Sequence, residues 1–484
     1  MSNKKRGFPN NPVLHNPLKA QFLMLLISFI LSTSASVNAQ DQFLGFWNGN
    51  ADFSGMPLRA EFEIISLTDK NNHGIFRSPD QGDGSIPIEN VTVSGEKIRI
   101  DLPSIELYFE GNLEIDANVI HGNIYQRGSA HPCTLQREKI EKSVNRPQEP
   151  LPPFSYYTED VVFENKAAGI KLVGTLCLPN GDGEFPIAIL ISGSGPQDRN
   201  EEILGHKPFL VLADHLAKNG IGSLRFDDRG VAESEGDFSI ATSADFASDV
   251  NAAIEYLKMR KNSGPIGLIG HSEGGLIAAI VAASNEQVAF LISLAGTGVK
   301  GDKILHKQSI DIALSEGLNV KTAETQANQS AELLSIIQNE ADSALASVLA
   351  SKKFDDLFSE YRAMIPDYEA FKTEQIKSMN NRWMRYFLQV NPVDYWRKVT
   401  CPVLAINGTK DTQVNYEENL NAIEQSLMVS MNEDFSITSL RNHNHLFQRT
   451  ESGRPSEYGS IEETMSEISL ELISEWLRAR FVKF

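Results

Sequence analysis

The chain has 484 residues, 41% hydrophobic and 22% charged, an ordinary globular composition in a length that exceeds one ordinary domain, so two folded units with appendages are expected. Its formal charge of −19 sets the surface against nucleic acid and anionic lipid. Three widely spaced cysteines, Cys133, Cys177 and Cys401, make no pair pattern of a metal site or a redox motif; Cys177 and Cys401 read as small buried apolar residues on strands, and disulfides are optional.

Lys4, Lys5, Arg6 and Lys19 accompany an apolar run from Phe22 to Leu31, followed by small and polar residues ending in Val37-Asn38-Ala39 before Gln40. This layout predicts a secretory signal peptide over 1–39. The run is short for a bilayer, which needs roughly 20 apolar residues, so stable membrane insertion after cleavage is not expected. Cleavage removes four basic and no acidic side chains and takes the formal charge from −19 to −23. The expected mature protein is exported, periplasmic or secreted.

From Phe43 to about Arg137 short alternating stretches such as Leu58–Ile64 and Lys97–Leu102 are separated by turn-prone clusters such as Asn71-Asn72-His73-Gly74. Period-two alternation with regular turns predicts a small antiparallel β-barrel or sandwich over 40–140. The proline-rich stretch Asn145–Pro153 suits neither a helix interior nor a central strand, so 141–155 reads as a stiff linker.

After Tyr156 apolar strands alternate with helices. Strands are expected at Pro186–Ile191, Ile221–Phe226, Ile266–Ile269 and Val288–Leu294, with helices at Pro208–Lys218, Ser243–Arg260 and Leu276–Ala283. Nearly continuous apolar strands joined by helical crossovers mean a mostly parallel sheet with helices on both faces. Residues from about 300 to 396 read as helices only, a cap on a completed sheet edge. Strands Pro402–Ile406 and Phe435–Leu440, a helix Asn415–Leu427 and an amphipathic closing helix Ile461–Phe481 complete the unit 156–484.

The chemistry gathers at the ends of these strands. Gly270-His271-Ser272-Glu273-Gly274 directly follows the strand Ile266–Ile269 and opens a helix, the setting of a nucleophile elbow with Ser272 as nucleophile. A serine needs a base held by an acid. Asp411 stands after the strand Pro402–Ile406 as the candidate acid, with a helix cap as its plainer role. After the last strand comes Arg441-Asn442-His443-Asn444-His445, where only one histidine of the pair can face Ser272 if the loop is extended. No neighbouring carboxylate or cysteine completes a metal-ligand set. The oxyanion needs backbone donors. The Glu273 amide is one, and the loop Ser192-Gly193-Ser194-Gly195-Pro196-Gln197-Asp198 offers Ser194 as the other.

Five motifs in order carry a resemblance: Gly193-Ser194-Gly195-Pro196-Gln197-Asp198-Arg199, Arg225-Phe226-Asp227-Asp228-Arg229-Gly230, Gly270 to Gly275, Asn407 to Val414, and Asn444-His445-Leu446-Phe447. From Tyr156 to the C-terminus the chain resembles EstD-type carboxylesterases of the α/β-hydrolase superfamily. The resemblance implies an α/β-hydrolase fold with a helical cap, acyl-ester hydrolysis through an acyl-enzyme, no metal or organic cofactor, and His445 as the base. Val231-Ala232-Glu233-Ser234 departs from the family's usual Val-Gly-x-Ser run.

Within the cap Trp383, Tyr386 and Phe387 are expected to wall a small-molecule ester substrate, or else to form ordinary cap core. The same triad serves a serine peptidase or an acyltransferase. A glycan- or cell-wall-binding protein with a subordinate hydrolase domain is the reading from another class. Homo-oligomerisation stays open.

Overall fold

The computed structural model describes residues 43–53, 56–67, 73–78, 85–114, 118–126, 129–137, 145–364 and 368–482. The expected signal peptide lies outside the described residues. The chain divides into two compact units, Met1–Lys142 and Ser143–Phe484.

In the first unit the alternating stretches form β1 (Gly45–Phe53), β2 (Met56–Ile64), β3 (Gly74–Arg77), β4 (Ser85–Pro87), β5 (Asn90–Ser94), β6 (Lys97–Leu102), β7 (Leu107–Glu114), β8 (Val119–Gln126) and β9 (Ser129–Gln136). They make one nine-stranded antiparallel sheet in the order β4-β3-β2-β1-β9-β8-β7-β6-β5. Every second side chain points inward. In β6 these are Ile98, Ile100 and Leu102, and in β7 Leu107, Phe109 and Leu113. Phe76 of β3 and Val91 of β5, near opposite ends of the strand order, share one core with Trp47 and Phe109, so the sheet curls like a barrel.

The second unit holds an eight-stranded sheet: β10 (Tyr157–Asn165), β11 (Ile170–Leu178), β12 (Phe185–Ile191), β13 (Gly222–Phe226), β14 (Ser263–His271), β15 (Leu291–Leu294), β16 (Val403–Gly408) and β17 (Phe435–Leu440). Its order is β10-β11-β13-β12-β14-β15-β16-β17. From β13 through β17 the pairings are parallel, while β10 and β11 pair antiparallel. The sequence reading began this sheet at Pro186, and β10 and β11 extend it. Alternate residues of β12 face two different cores. Ile187, Ile189 and Ile191 pack with α2 (Ser243–Lys258) and α3 (Glu273–Ala282), whereas Ala188 and Leu190 pack with α1 (Pro208–Lys218).

The cap comprises α4 (Gly301–Ser315), α5 (Val320–Asn339), α6 (Ser343–Phe358), α7 (Tyr368–Met379), α8 (Arg382–Gln389) and α9 (Val393–Trp396). It does not sit on a completed sheet edge, as the sequence suggested. It leaves from β15 and returns to β16, and these two strands pair side by side from Leu291 with Val403 to Leu294 with Ile406. The exit and return are tied by the Trp396 indole N–H, which donates to the Thr297 carbonyl at 3.0 Å.

After β16 come α10 (Tyr416–Val429) and, last, α11 (Glu467–Phe481). The closing helix thus starts six residues later than its apolar pattern suggested. Ser466 caps it by accepting the Ser469 N–H, and the amides of Thr464 and Met465 instead donate to Gln148 Oε1 at 2.6 and 3.1 Å. The proline-rich segment is fastened along this unit. Arg146 donates to the carbonyls of Leu204, Gly205 and Gly459 at 3.2, 3.1 and 2.8 Å.

Candidate active site

The carboxyl ends of β12, β14, β16 and β17 each deliver one part of the site, as expected where a parallel sheet's loops gather along one edge. Ser272 joins β14 to α3 with φ 54° and ψ −118°, outside the regions comfortable for a non-glycine residue. Its neighbours must be small. A Cβ on Gly270 would lie 2.0 Å from the Gly274 carbonyl oxygen, and one on Gly274 would lie 2.1 Å from the Ile191 carbonyl oxygen. The turn therefore closes only with glycine at both places, and Ser272 stays partly accessible between buried His271 and Glu273.

His445 and Asp411 meet. His445 Nδ1 lies 2.7 Å from Asp411 Oδ2, and both side chains are buried. The other carboxylate oxygen accepts the amides of Gln413 and Val414 at 2.8 and 2.9 Å. Asp411 is thus fixed as an acceptor and orients the ring so that Nδ1–H points at it. His443 faces elsewhere: its Nε2 lies 2.7 Å from the hydroxyl of Ser466, the cap of α11, and its Nδ1 lies 2.9 Å from the Arg441 carbonyl.

Glu273 is the first residue of α3, where amides have no intrahelical partner. Across from it the loop after β12 brings Gly193 so close that a Cβ there would lie 3.2 Å from Ser272 Cβ. The Gly193 amide donates to Glu201 Oε1 at 2.7 Å. Ser194, next in the loop, is exposed.

Several residues that the sequence reading quoted without a role hold this loop. Asp228 accepts the Ser192 hydroxyl at 2.8 Å and the Gln197 amide at 3.0 Å, and burial pushes its carboxyl well above the usual carboxylate range. Asp227 pairs with Arg199 at 2.6 Å and accepts its amide at 2.8 Å. Arg229 pairs with Asp249 of α2 at 2.7 Å. Their signal was present in the order Gly-Pro-Gln-Asp-Arg and Asp-Asp-Arg-Gly, but nothing in the sequence said that one motif clamps the other.

The three cap aromatics part company. Trp383 reaches the site's rim, where its indole N–H donates to Glu273 Oε1 at 2.8 Å beside the Ser243 hydroxyl at 2.6 Å. Burial raises the Glu273 pKa, with both donors working against that rise. Phe387 stacks on Trp383 with centroids 5.2 Å apart and is itself buried. Tyr386 is half-buried, and burial together with a hydrogen bond to Tyr395 raises its phenol pKa.

A family model described as serine aminopeptidase, S33, matches residues 207–445. Esterase EstD of Thermotoga maritima is 28% identical over 172 residues, covering 34% of this chain and 42% of that protein. The chain therefore matches less than half the length of that relative. Among solved structures, an esterase of Pyrococcus furiosus aligns with a TM-score of 0.41 at 18% identity, over 68% of this chain and 93% of that one. Est1E from Butyrivibrio proteoclasticus, with ferulic acid bound, gives 0.39 at 18% identity over 66% and 96%. The second unit has the α/β-hydrolase fold. In this unit no group of three or more His, Cys, Asp or Glu side chains is arranged to hold a metal ion among the described residues. Among them, too, no helix is long and apolar enough to cross a membrane.

Proposed function

We propose that the protein hydrolyses carboxylic esters of small molecules through Ser272, His445 and Asp411. The observation that carries this reading is the strained elbow at Ser272 on the same sheet edge as the His445–Asp411 pair. Ser272 Oγ attacks the acyl carbonyl while His445 Nε2 takes its proton, and Asp411 stabilises the resulting imidazolium. The carbonyl oxygen, now carrying the charge, accepts the amides of Glu273 and Ser194. Ser194 is favoured over its neighbour because the Gly193 amide is engaged by Glu201. His445 then protonates the departing alcohol, and water, deprotonated by the same ring, releases the acid from the acyl-enzyme. Trp383 and Phe387 wall the pocket on the cap side.

The name of the EstD relative supports an ester, whereas the description of the S33 family favours a peptide amide as second reading. A p-nitrophenyl ester chain-length series beside aminoacyl anilides separates them. Ester turnover is expected, and Ser272→Ala is expected to lower kcat on the order of 10⁶-fold and to abolish fluorophosphonate labelling while the protein stays folded. Anilide turnover exceeding ester turnover would replace the esterase reading. Near-normal turnover by folded, pure Ser272→Ala would end both.

A further inference from the structure

His271 precedes the nucleophile and is buried, yet the proposed reaction gives its side chain no part. Its Nδ1 lies 2.9 Å from Glu201 Oε1 and its Nε2 lies 3.0 Å from the backbone carbonyl oxygen of His445. A carbonyl oxygen can only accept, so Nε2 carries a hydrogen. The contact with a carboxyl needs a second one, and an ordinary imidazole is a stronger base than an ordinary carboxylate, so that proton belongs on the ring. Glu201 Oε1 also accepts the Gly193 amide.

These contacts form one chain through three loops: the carbonyl of His445 after β17, the His271 ring at the end of β14, the Glu201 carboxylate, and the Gly193 amide after β12. We propose that His271 is held as an imidazolium by Glu201, and that this buried ion pair is a positioning device which sets the base loop and the oxyanion loop relative to Ser272. It rests on the ester-hydrolase reading for its effect on rate, though not for its charge state.

Three further observations support it. Glu201 has a left-handed backbone, φ 53°, an uncomfortable conformation for a glutamate that is held by its amide donating to the Asp198 carbonyl at 2.9 Å. The pair is walled on one side by apolar residues, among them Phe209, Leu212, Leu294, Leu446, Phe447 and Met465. A lone charge there would be costly, and a paired one is held firmly. Burial opposes the charge on His271, but Glu201 and the His445 carbonyl outweigh it and the ring's pKa is raised overall.

The charged and titratable groups around the ring are Glu201 from the loop after β12, Asp411 after β16, and His445 itself, whose ring centroid is 4.7 Å away. Asp228 and Glu273 lie within electrostatic reach of one another, and Asp228 within reach of Glu201. Because the folded pKa of His271 lies above its ordinary value, the ring's positive charge is fully present below about pH 6.5, and the pair is lost as pH rises through the folded pKa. An alkaline fall in activity follows, distinct from the acid fall expected when a catalytic base becomes protonated.

The test uses the full chain with ¹⁵N-labelled histidine. One ring, identified by its loss in His271→Gln, should keep the shifts of an imidazolium to higher pH than the exposed histidines do. Glu201→Gln should move that ring's titration to lower pH. In ester turnover, each variant should lower kcat by about 10²-fold, the scale of a misplaced catalytic group, with KM changed little and the alkaline limb displaced. A His271 ring that loses its proton at or below the pH at which the exposed histidines do overturns the charge state. Folded variants with wild-type kcat and pH profile overturn the positioning role, as does a loss confined to melting temperature. If wild type turns over no ester and takes no fluorophosphonate, the esterase reading has failed, and the nuclear shifts still decide the ion pair.

Discussion

Two histidines separated by one residue end up in unrelated work because the loop turns between them: His443 sits on a bridge to Arg449, and His445 lies in the turn closed by the Phe447 amide donating to the Asn444 carbonyl at 3.1 Å. His445 turns to Asp411 and His443 to the cap of the closing helix. Removing each should therefore read out differently. His445→Ala is expected to damage turnover as severely as Ser272→Ala, without a matching loss of stability. His443→Ala removes one buried hydrogen bond from the Ser466 hydroxyl, which keeps Ser469 as a partner, at a cost of about 0.5–1.5 kcal/mol, so its melting temperature should fall while kcat stays near wild type. Steady-state kinetics beside thermal melts check both, and a reversed pattern would move the base to His443. At this scale Ser272 and Asp411 stood out in the sequence because each follows an apolar strand, whereas His443 and His445 follow the same strand and only the family resemblance singled out His445. Glu201 did not, since a glutamate in a polar loop gives no sign that a left-handed backbone turns it inward.

Among elements, the parallel core of the sheet was legible from its uninterrupted apolar runs, and the cap from a long stretch of helix formers. The antiparallel strands β10 and β11 were not: in the edge strand β10 the exposed positions dominate and the apolar signal is weak until Val161 and Phe163. The cap's place inside the strand order is a matter of which strands pair, and no local pattern encodes that. Its attachment to the site has a consequence. Helix α8 reaches the nucleophile helix through the Trp383 indole on Glu273, the residue whose amide faces the proposed oxyanion. Trp383→Phe keeps an aromatic face for Phe387 but withdraws the indole donor from a buried carboxyl. The expected result is a rise in KM that exceeds the fall in kcat, with a shifted preference across p-nitrophenyl ester chain lengths. An unchanged KM series would make Trp383 a packing residue of the cap.

For the molecule as a whole, the decisive fact is that each unit closes a core of its own. Trp47 shows this for the first unit. It is fully buried among Phe62, Phe109 and other residues of that unit alone, its indole N–H donates to the Phe43 carbonyl at 2.8 Å, and the Arg137 guanidinium lies 4.8 Å from its ring centre. The hydrolase core draws on none of these side chains. Truncating a buried tryptophan to alanine costs about 3–5 kcal/mol through lost burial and the cavity left behind, a large part of what stabilises a unit of this size. Trp47→Ala should therefore lower one of two thermal transitions, or expose the first unit to protease at temperatures where wild type resists. The ester kcat of the same sample, measured below that transition, should stay within twofold or so of wild type, since the loss is confined to one core. A matching fall in kcat at temperatures where both units remain folded would show that the first unit helps to shape the hydrolase site.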